Sequence, residues 1–599
     1  MKRTRSRFVG VAALLAVALP LLAPAGARAA TFTLCDSADS TSPTKAQADA
    51  LMQNKYSFSG FATVTLPAPQ YITWKEDPFH NASWVLKLHQ MYWTEPLWYA
   101  YVQTGNVAYK NRYIALLQSW YSKNPPSNPP SPWSWAQHSV AIRSMVVSCA
   151  IKRGVGYSWT RAMADQHGAK LAQTSFYLHT GNRALDQNIG LLDIGCARSN
   201  TSWRDLAVAR MNSWATHDVD SQGVSLEQSD GYNLYVYKRL DLASRALAAC
   251  GQSSSIVSSQ HQKMIDFIAN AATPSGYTVN FGDTGTTRLP YNFSDHTSPF
   301  NWLTTNGAPG TTRPTLPDYM TYNSGYAFFR SSWGTPNSVN DETHVMVRFG
   351  AGRANHGHED AGEVTLEAYG NKLLLDSGGP YIYDNTNPYR QYFMSERANN
   401  EVSIDSIPMR PTYWTYLKGQ NHDANMDFVS IEHFKYSGVT TWRRVLYDRR
   451  LNVMLVDDWL VSYGPVAFRQ NWHLRKDAVV HWGFGGFYTS SGGPNVIISQ
   501  LIGKKTQEVH RGATSPVQGW VTESLNSKYA APMVQVKFVG RSTRFLTLIV
   551  PSAAGSTLRT ATTSNLAVTA NGYSVDITVG GLTDHVDVGQ TSASLTVLV

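Results

Sequence analysis

Arg353-Ala-Asn-His356-Gly-His358-Glu-Asp360 concentrates more reactive chemistry than any other stretch of this 599-residue chain. Two imidazoles and a carboxylate stand two residues apart, so in extended backbone all three side chains share one face. Imidazole titrates near neutrality, which suits proton transfer and metal ligation. Burying such a cluster is costly unless its members are paired or used. A hairpin is expected behind it. Val364, Leu366 and Ala368 alternate with polar neighbours, Gly370-Asn371 has the composition of a tight turn, and Leu373 to Leu375 return. An ideal turn at Gly370-Asn371 sets Tyr383 opposite His358. It sets Asp376 opposite Thr365, roughly 20 Å from His358 at strand rise.

The elements that must position these residues fall into two halves. Residues 30 to about 315 carry apolar residues at helical spacing, as in Val107–Tyr121, Ala136–Arg153 and Ser202–His217, separated by Gly, Pro and Ser clusters. Successive helical hairpins of this kind suggest a toroid or solenoid of helix pairs. From Tyr322 onward, short runs rich in Val, Thr, Tyr and Phe alternate with turn residues, which predicts a large antiparallel β-sandwich. The fold class expected is therefore α+β and multidomain: helical over 30–318, sandwich over 319–500, and a C-terminal set of strands or module over 501–599. The junction of the two halves is the expected ligand cleft.

Residues 1–29 read as a secretory leader. Lys2, Arg3, Arg5 and Arg7 precede an apolar run from Val11 to Leu22 and a small-residue Ala27-Arg28-Ala29 end. That run is short for a membrane span and none other approaches one, so an exported protein without a membrane anchor is expected. The whole chain carries 51 basic and 42 acidic residues. The leader holds five of the basic ones, which leaves 46 against 42, a net charge of about +4. With no basic cluster, nucleic acid is not an expected partner. The 18 Trp and 31 Tyr residues suit stacking on sugars as well as core packing. Cys35, Cys149, Cys196 and Cys250 match no zinc spacing and allow one or two disulfides.

Several motifs, in order, resemble the heparinase II/III-like polysaccharide lyases. His356-Gly-His358-Glu-Asp360-Ala-Gly and the hairpin ending Leu375-Asp376-Ser-Gly look like that family's core signature. Gly181-Asn182-Arg183-Ala-Leu-Asp-Gln187-Asn188 resembles its first helical motif, and Ser225-Leu-Glu227-Gln228-Ser229-Asp-Gly231-Tyr232-Asn233 its Tyr-bearing motif. Tyr322 to Arg330 and Phe468 to Leu474 have counterparts too, so the resemblance spans roughly residues 70 to 500.

The resemblance implies an incomplete (α/α) toroid joined to a β-sandwich. It implies cleavage beside a uronic acid by β-elimination, needing no cofactor and acting on an acidic polysaccharide. Asn182 would hold the uronate carboxylate with Arg183 helping. Tyr232 would be the general acid, and also the base if a nearby cation lowers its pKa. His356 would be a base or a carboxylate ligand. Tyr383 or Tyr389 would supply a second phenol, while Gln228 and Arg397 are further substrate-binding candidates. The family also implies a structural zinc ion at His358, Asp376 and a later His. That third position is Asn399 here, so the site is degraded, and Asn233 stands where the family often has His. Two other readings compete: a glycoside hydrolase using two of Glu227, Asp230, Glu359 and Asp360, and a non-catalytic polysaccharide-binding relative. The polymer, endo or exo action and the oligomeric state are not legible in the residues.

Overall fold

The computed structural model describes residues 43–291, 297–503 and 505–598; the leader expected over 1–29 lies outside them. Helices run from Lys45–Met52 to Pro299–Thr304, and strands take over from Tyr319–Tyr322 onward. The helical and β halves follow the two periodicities of the sequence. The helix Asn182–Ala197 is buried on nearly all sides, packed between Gln137–Lys152 and Thr201–Asp218. Its apolar residues Leu185, Ile189 and Leu192 enter the main helical core. A disulfide joins Cys196, near the C-terminus of that helix, to Cys250 at the end of Asp230–Ala249.

A five-stranded antiparallel sheet is built from Tyr319–Tyr322, Tyr326–Arg330, His344–Arg348, Val364–Ala368 and Asn371–Leu374. Several of its strands are buried on both faces. Side chains alternate across a strand, and here each parity has its own core. Tyr326, Phe328 and Met346 join Phe267 and Trp302 of the helical domain. Ala327, Phe329, Val345 and Val347 face Val429, Val456, Phe468 and Val536 of an eleven-stranded sheet. The small sheet thus glues the helical domain to the large sheet.

Two expectations require correction. No domain boundary falls at 500/501. Met533–Ser552 pairs along the length of Val453–His473 in the middle of the large sheet, from Met454↔Ile549 to His473↔Met533. Ala561–Val568, Tyr573–Val579, Leu582–Val588 and Ala593–Val597 form a separate four-stranded sheet, laid on the outer face of the large one. The hairpin turn is Tyr369-Gly370, because both residues take positive φ (54° and 73°), as the tightest hairpin turn requires. Ala368 then pairs Asn371, and a register shift follows before Leu366↔Leu374. Tyr383 lies in a loop beyond the strand and does not pair across from His358.

Candidate active site

Three loops meet where the helical domain abuts the small sheet. The Asp283 amide donates to the His356 carbonyl (2.8 Å), and the His356 amide donates to the Glu227 carbonyl (3.1 Å). Gly282 sits between them at φ +57°, where a Cβ would lie 2.4 Å from the Gln228 carbonyl and 2.6 Å from that of His356; only glycine permits this approach. Ser229 caps the helix Asp230–Ala249 by accepting from the Tyr232 amide, which fixes Tyr232 in the first turn, facing the cleft. The extended backbone expected for 356–360 is absent. Asn355 is left-handed and Gly357 closes a turn onto Ala354. His356 and His358 still converge, but Asp360 turns away to Arg348 (3.5 Å).

Asp283 is the hub. His356 Nδ1 lies 3.2 Å from Oδ2, His358 Nε2 lies 3.0 Å from Oδ1, and Arg390 grips both oxygens. Burial opposes ionisation, yet the hydrogen bonds from His356 and His358, the charge of His358 and the hydrogen bond from Arg390 hold the Asp283 carboxyl far below the usual range. The His356 ring stacks on Tyr232 with centroids 3.5 Å apart and planes 10° apart. Its Nε2 lies 3.6 Å from Glu227 Oε2. The Tyr232 and Tyr383 hydroxyls are 3.0 Å apart. Glu227 Oε1 accepts from both the amide (2.6 Å) and the side chain (3.1 Å) of Asn182, the first residue of its helix.

Asn182, Tyr232, His356 and Tyr383 therefore come together as one cluster. The acids are buried, whereas His356 keeps 20% of its side chain exposed and Tyr383 is 46% exposed. Burial, then the Tyr383 hydroxyl and the charges of Asp283 and Glu227, push the Tyr232 phenol well above its ordinary value. The phenol therefore keeps its proton at neutral pH. Shelter of its hydroxyl and the charge of Asp283 push Tyr383 to about 12, against the pull of Arg390 and Arg183.

Residues 28–301 match the family described as Heparinase II/III N-terminus, and residues 314–560 that described as Heparinase II/III-like, C-terminal. The chain belongs to the heparinase II/III-like polysaccharide lyases. A heparin-sulfate lyase of Bacteroides thetaiotaomicron is 22% identical over 573 residues, 86% of this chain and 79% of that protein. Another, from Bacteroides stercoris, is 22% identical over 342 residues; the match takes in 53% of this chain and 49%, about half, of that protein. The crystal structure of heparinase III superposes with a TM-score of 0.74 at 17% identity, over 92% of this chain and 91% of that one. At that identity the likeness is one of fold.

The other residues singled out in this lyase have different surroundings. Arg183 is exposed, with its charge felt at Tyr383. Gln228 uses both ends of its amide on the His356 loop, accepting from the Ala354 amide (2.6 Å) and donating to the Gly352 carbonyl (3.2 Å). Tyr389 packs against Tyr381 and Trp520, and Arg397 pairs with Asp405 (3.1 Å). Asp283 went unread as a site residue. Its only mark in the sequence is an acid between glycines, Gly282-Asp283-Thr-Gly285, in a loop near the domain junction.

Among the described residues, no three His, Cys, Asp or Glu side chains form a metal-holding group. Three buried polar atoms nevertheless lack a hydrogen-bond partner: His358 Nδ1, Asp376 Oδ2 and Asn399 Oδ1. The chain folds back at Gly362 (φ +130°), which brings His358 and Asp376 together despite the separation expected of a straight hairpin. A Cβ on Gly378 would lie 2.5 Å from the Phe393 carbonyl, 2.7 Å from His358 Nδ1 and 3.1 Å from Asp376 Oδ1, so His358 and Asp376 line one cradle, while Asn399 donates to the Glu359 carbonyl (2.9 Å). His358 gives its other nitrogen to Asp283, the usual arrangement behind a ligating imidazole. One nitrogen among several oxygens fits an oxygen-preferring divalent ion and fits tetrahedral zinc poorly.

Proposed function

We propose that this lyase is exported and cleaves a glucuronate-containing glycosaminoglycan by β-elimination, with heparan sulfate as the first polymer to test. The contact of His356, Tyr232 and Tyr383 beside Asn182 carries this reading. Removing the C5 proton of a uronate places charge on its carboxylate, which needs donors already in position. Asn182, with one amide hydrogen still free, and the exposed Arg183 supply them. Both phenols hold their protons at neutral pH, so the base is His356. Its Nδ1 donates to Asp283, which leaves the Nε2 lone pair to take the C5 proton. Glu227 Oε2 then faces the imidazolium that forms. The C5–H electron pair becomes the C4=C5 double bond, the C4–O bond breaks, and Tyr232 protonates the leaving oxygen. Tyr383, touching Tyr232 and open to solvent, returns a proton to it.

The names of the curated relatives support the glycosaminoglycan class, and residues 1–29 support export. At the cradle beside the site, His358 and Asp376 would hold a divalent ion whose chemistry is to cross-link the His356 loop to the sheet. The decisive test is ultraviolet absorbance of the unsaturated uronate during incubation with a panel of polyuronates, beside Tyr232→Phe and His356→Ala. The expected result is a rise on a glucuronate glycosaminoglycan that each variant slows by roughly 100-fold or more. No rise with any polymer would overturn the reading.

A further inference from the structure

A hairpin far along the sequence stands at the rim of this site. Trp520–Ser524 and Ser527–Ala530 pair antiparallel. At its tip the Asn526 amide donates to the Tyr381 carbonyl (2.6 Å), and the Asn526 side chain donates to the Gly60 carbonyl of the helical domain (2.8 Å). The hairpin thus bridges the two halves next to the loop that carries Tyr383.

Lys528 projects from this hairpin into a cage of three rings. Its ammonium lies 4.3 Å from the centroid of Tyr389, 5.1 Å from Tyr381 and 5.3 Å from Trp520. The rings brace one another, with Tyr389 and Trp520 at 5.4 Å and Tyr381 and Tyr389 at 6.2 Å. One N–H donates to the Tyr381 hydroxyl (3.2 Å). No carboxylate forms an ion pair with Lys528 among the described residues, unlike Lys152, Lys418 and Lys435. Aromatic faces orient a cation without neutralising it. The result is a half-buried, pre-positioned ammonium with two donors unspent. Of the site's other cations, Arg390 is engaged by Asp283 and Arg353 lies near Glu359 at 3.9 Å, while the exposed Arg183 serves the reacting uronate.

We propose that Lys528 in its ring cage is an anion subsite that binds a sulfate or carboxylate of the saccharide flanking the one cleaved. Tyr381 is two residues from Tyr383, about 7 Å of extended chain, so an anion on Lys528 belongs to a neighbouring sugar and not to the reacting uronate. The inference rests on the lyase reading for the identity of the chain that carries the anion.

The test compares wild type, Lys528→Gln and Lys528→Arg on oligosaccharides of one length, with and without sulfate on the flanking residue. Lys528→Gln is expected to raise KM roughly 10-fold, the worth of one charge-assisted contact, with kcat and melting temperature unchanged. Lys528→Arg is expected to stay near wild type. A rise confined to the sulfated substrate names sulfate as the ligand, and an equal rise on both names the uronate carboxylate. An unchanged KM on both would overturn the proposal. So would a fall in kcat together with melting temperature, which would make Lys528 a staple for the rings. Should the wild type cleave nothing, calorimetric binding of the same oligosaccharides to the same variants still decides the subsite, so its failure and that of the lyase reading can be told apart.

Discussion

Asp283 shows how one buried charge organises the proposed catalytic cluster. It accepts from two imidazoles and an arginine, and its ionised form is what orients His356 with Nε2 toward the cleft. An amide of the same shape keeps the volume but loses the charge and presents N–H to a partner that also donates. Asp283→Asn is therefore expected to lower kcat roughly 100-fold, in the range of a misoriented general base. Leaving Arg390 buried without its partner costs about 3–5 kcal/mol of stability. Initial rates and chemical denaturation measured on the same preparation separate the two effects. Wild-type kcat in a folded variant would remove Asp283 from the orienting role.

At the scale of elements, loops do the positioning that strands were expected to do. The His356 segment is held by backbone bonds to the 227–228 and 282–283 loops and by the Gln228 amide. The end of the strand Asn371–Leu374 comes beside it through Gly378. The unpaired His358 nitrogen and Asp376 oxygen at that junction are costly without a partner, and a divalent ion would supply one. Elemental analysis of purified protein is expected to find one oxygen-preferring divalent ion per chain, lost in Asp376→Asn, with a lower melting temperature after chelation. Protein that contains no such ion and melts identically with and without chelator would sink the metal assignment.

The whole molecule is a stack of four layers: helices, a five-stranded sheet, an eleven-stranded sheet and the C-terminal four-stranded sheet. The last layer covers Phe428, Leu446, Leu455, Leu546 and Leu548 with Tyr573, Val575, Ile577 and Val586. Each large apolar side chain returned to water costs about 1.5–3 kcal/mol. A chain ending at residue 560 is accordingly expected to lose melting temperature, bind a hydrophobic dye and aggregate, although none of the proposed catalytic side chains is removed. A truncated chain with wild-type melting would mean that the outer sheet is dispensable.

Periodicity by itself determined the order of the molecule, helices first and then antiparallel strands, because burial on one face imprints spacing on the residues of each element. Local chemistry marked His356, because a dense polar cluster is unusual in any core, while Asn182 and Tyr232 stood out only through the motifs that resemble those of the heparinase II/III-like lyases. Tertiary structure alone decided the rest. Tyr383 reaches Tyr232 from 151 positions away through a loop whose path no periodicity records. Asp283 gains its role only once three loops cross at Gly282. Met533–Ser552 enters the middle of the large sheet because strand pairing depends on which edge is free when the sheet closes. Lys528 becomes an unpaid charge only when Tyr381, Tyr389 and Trp520 close around it.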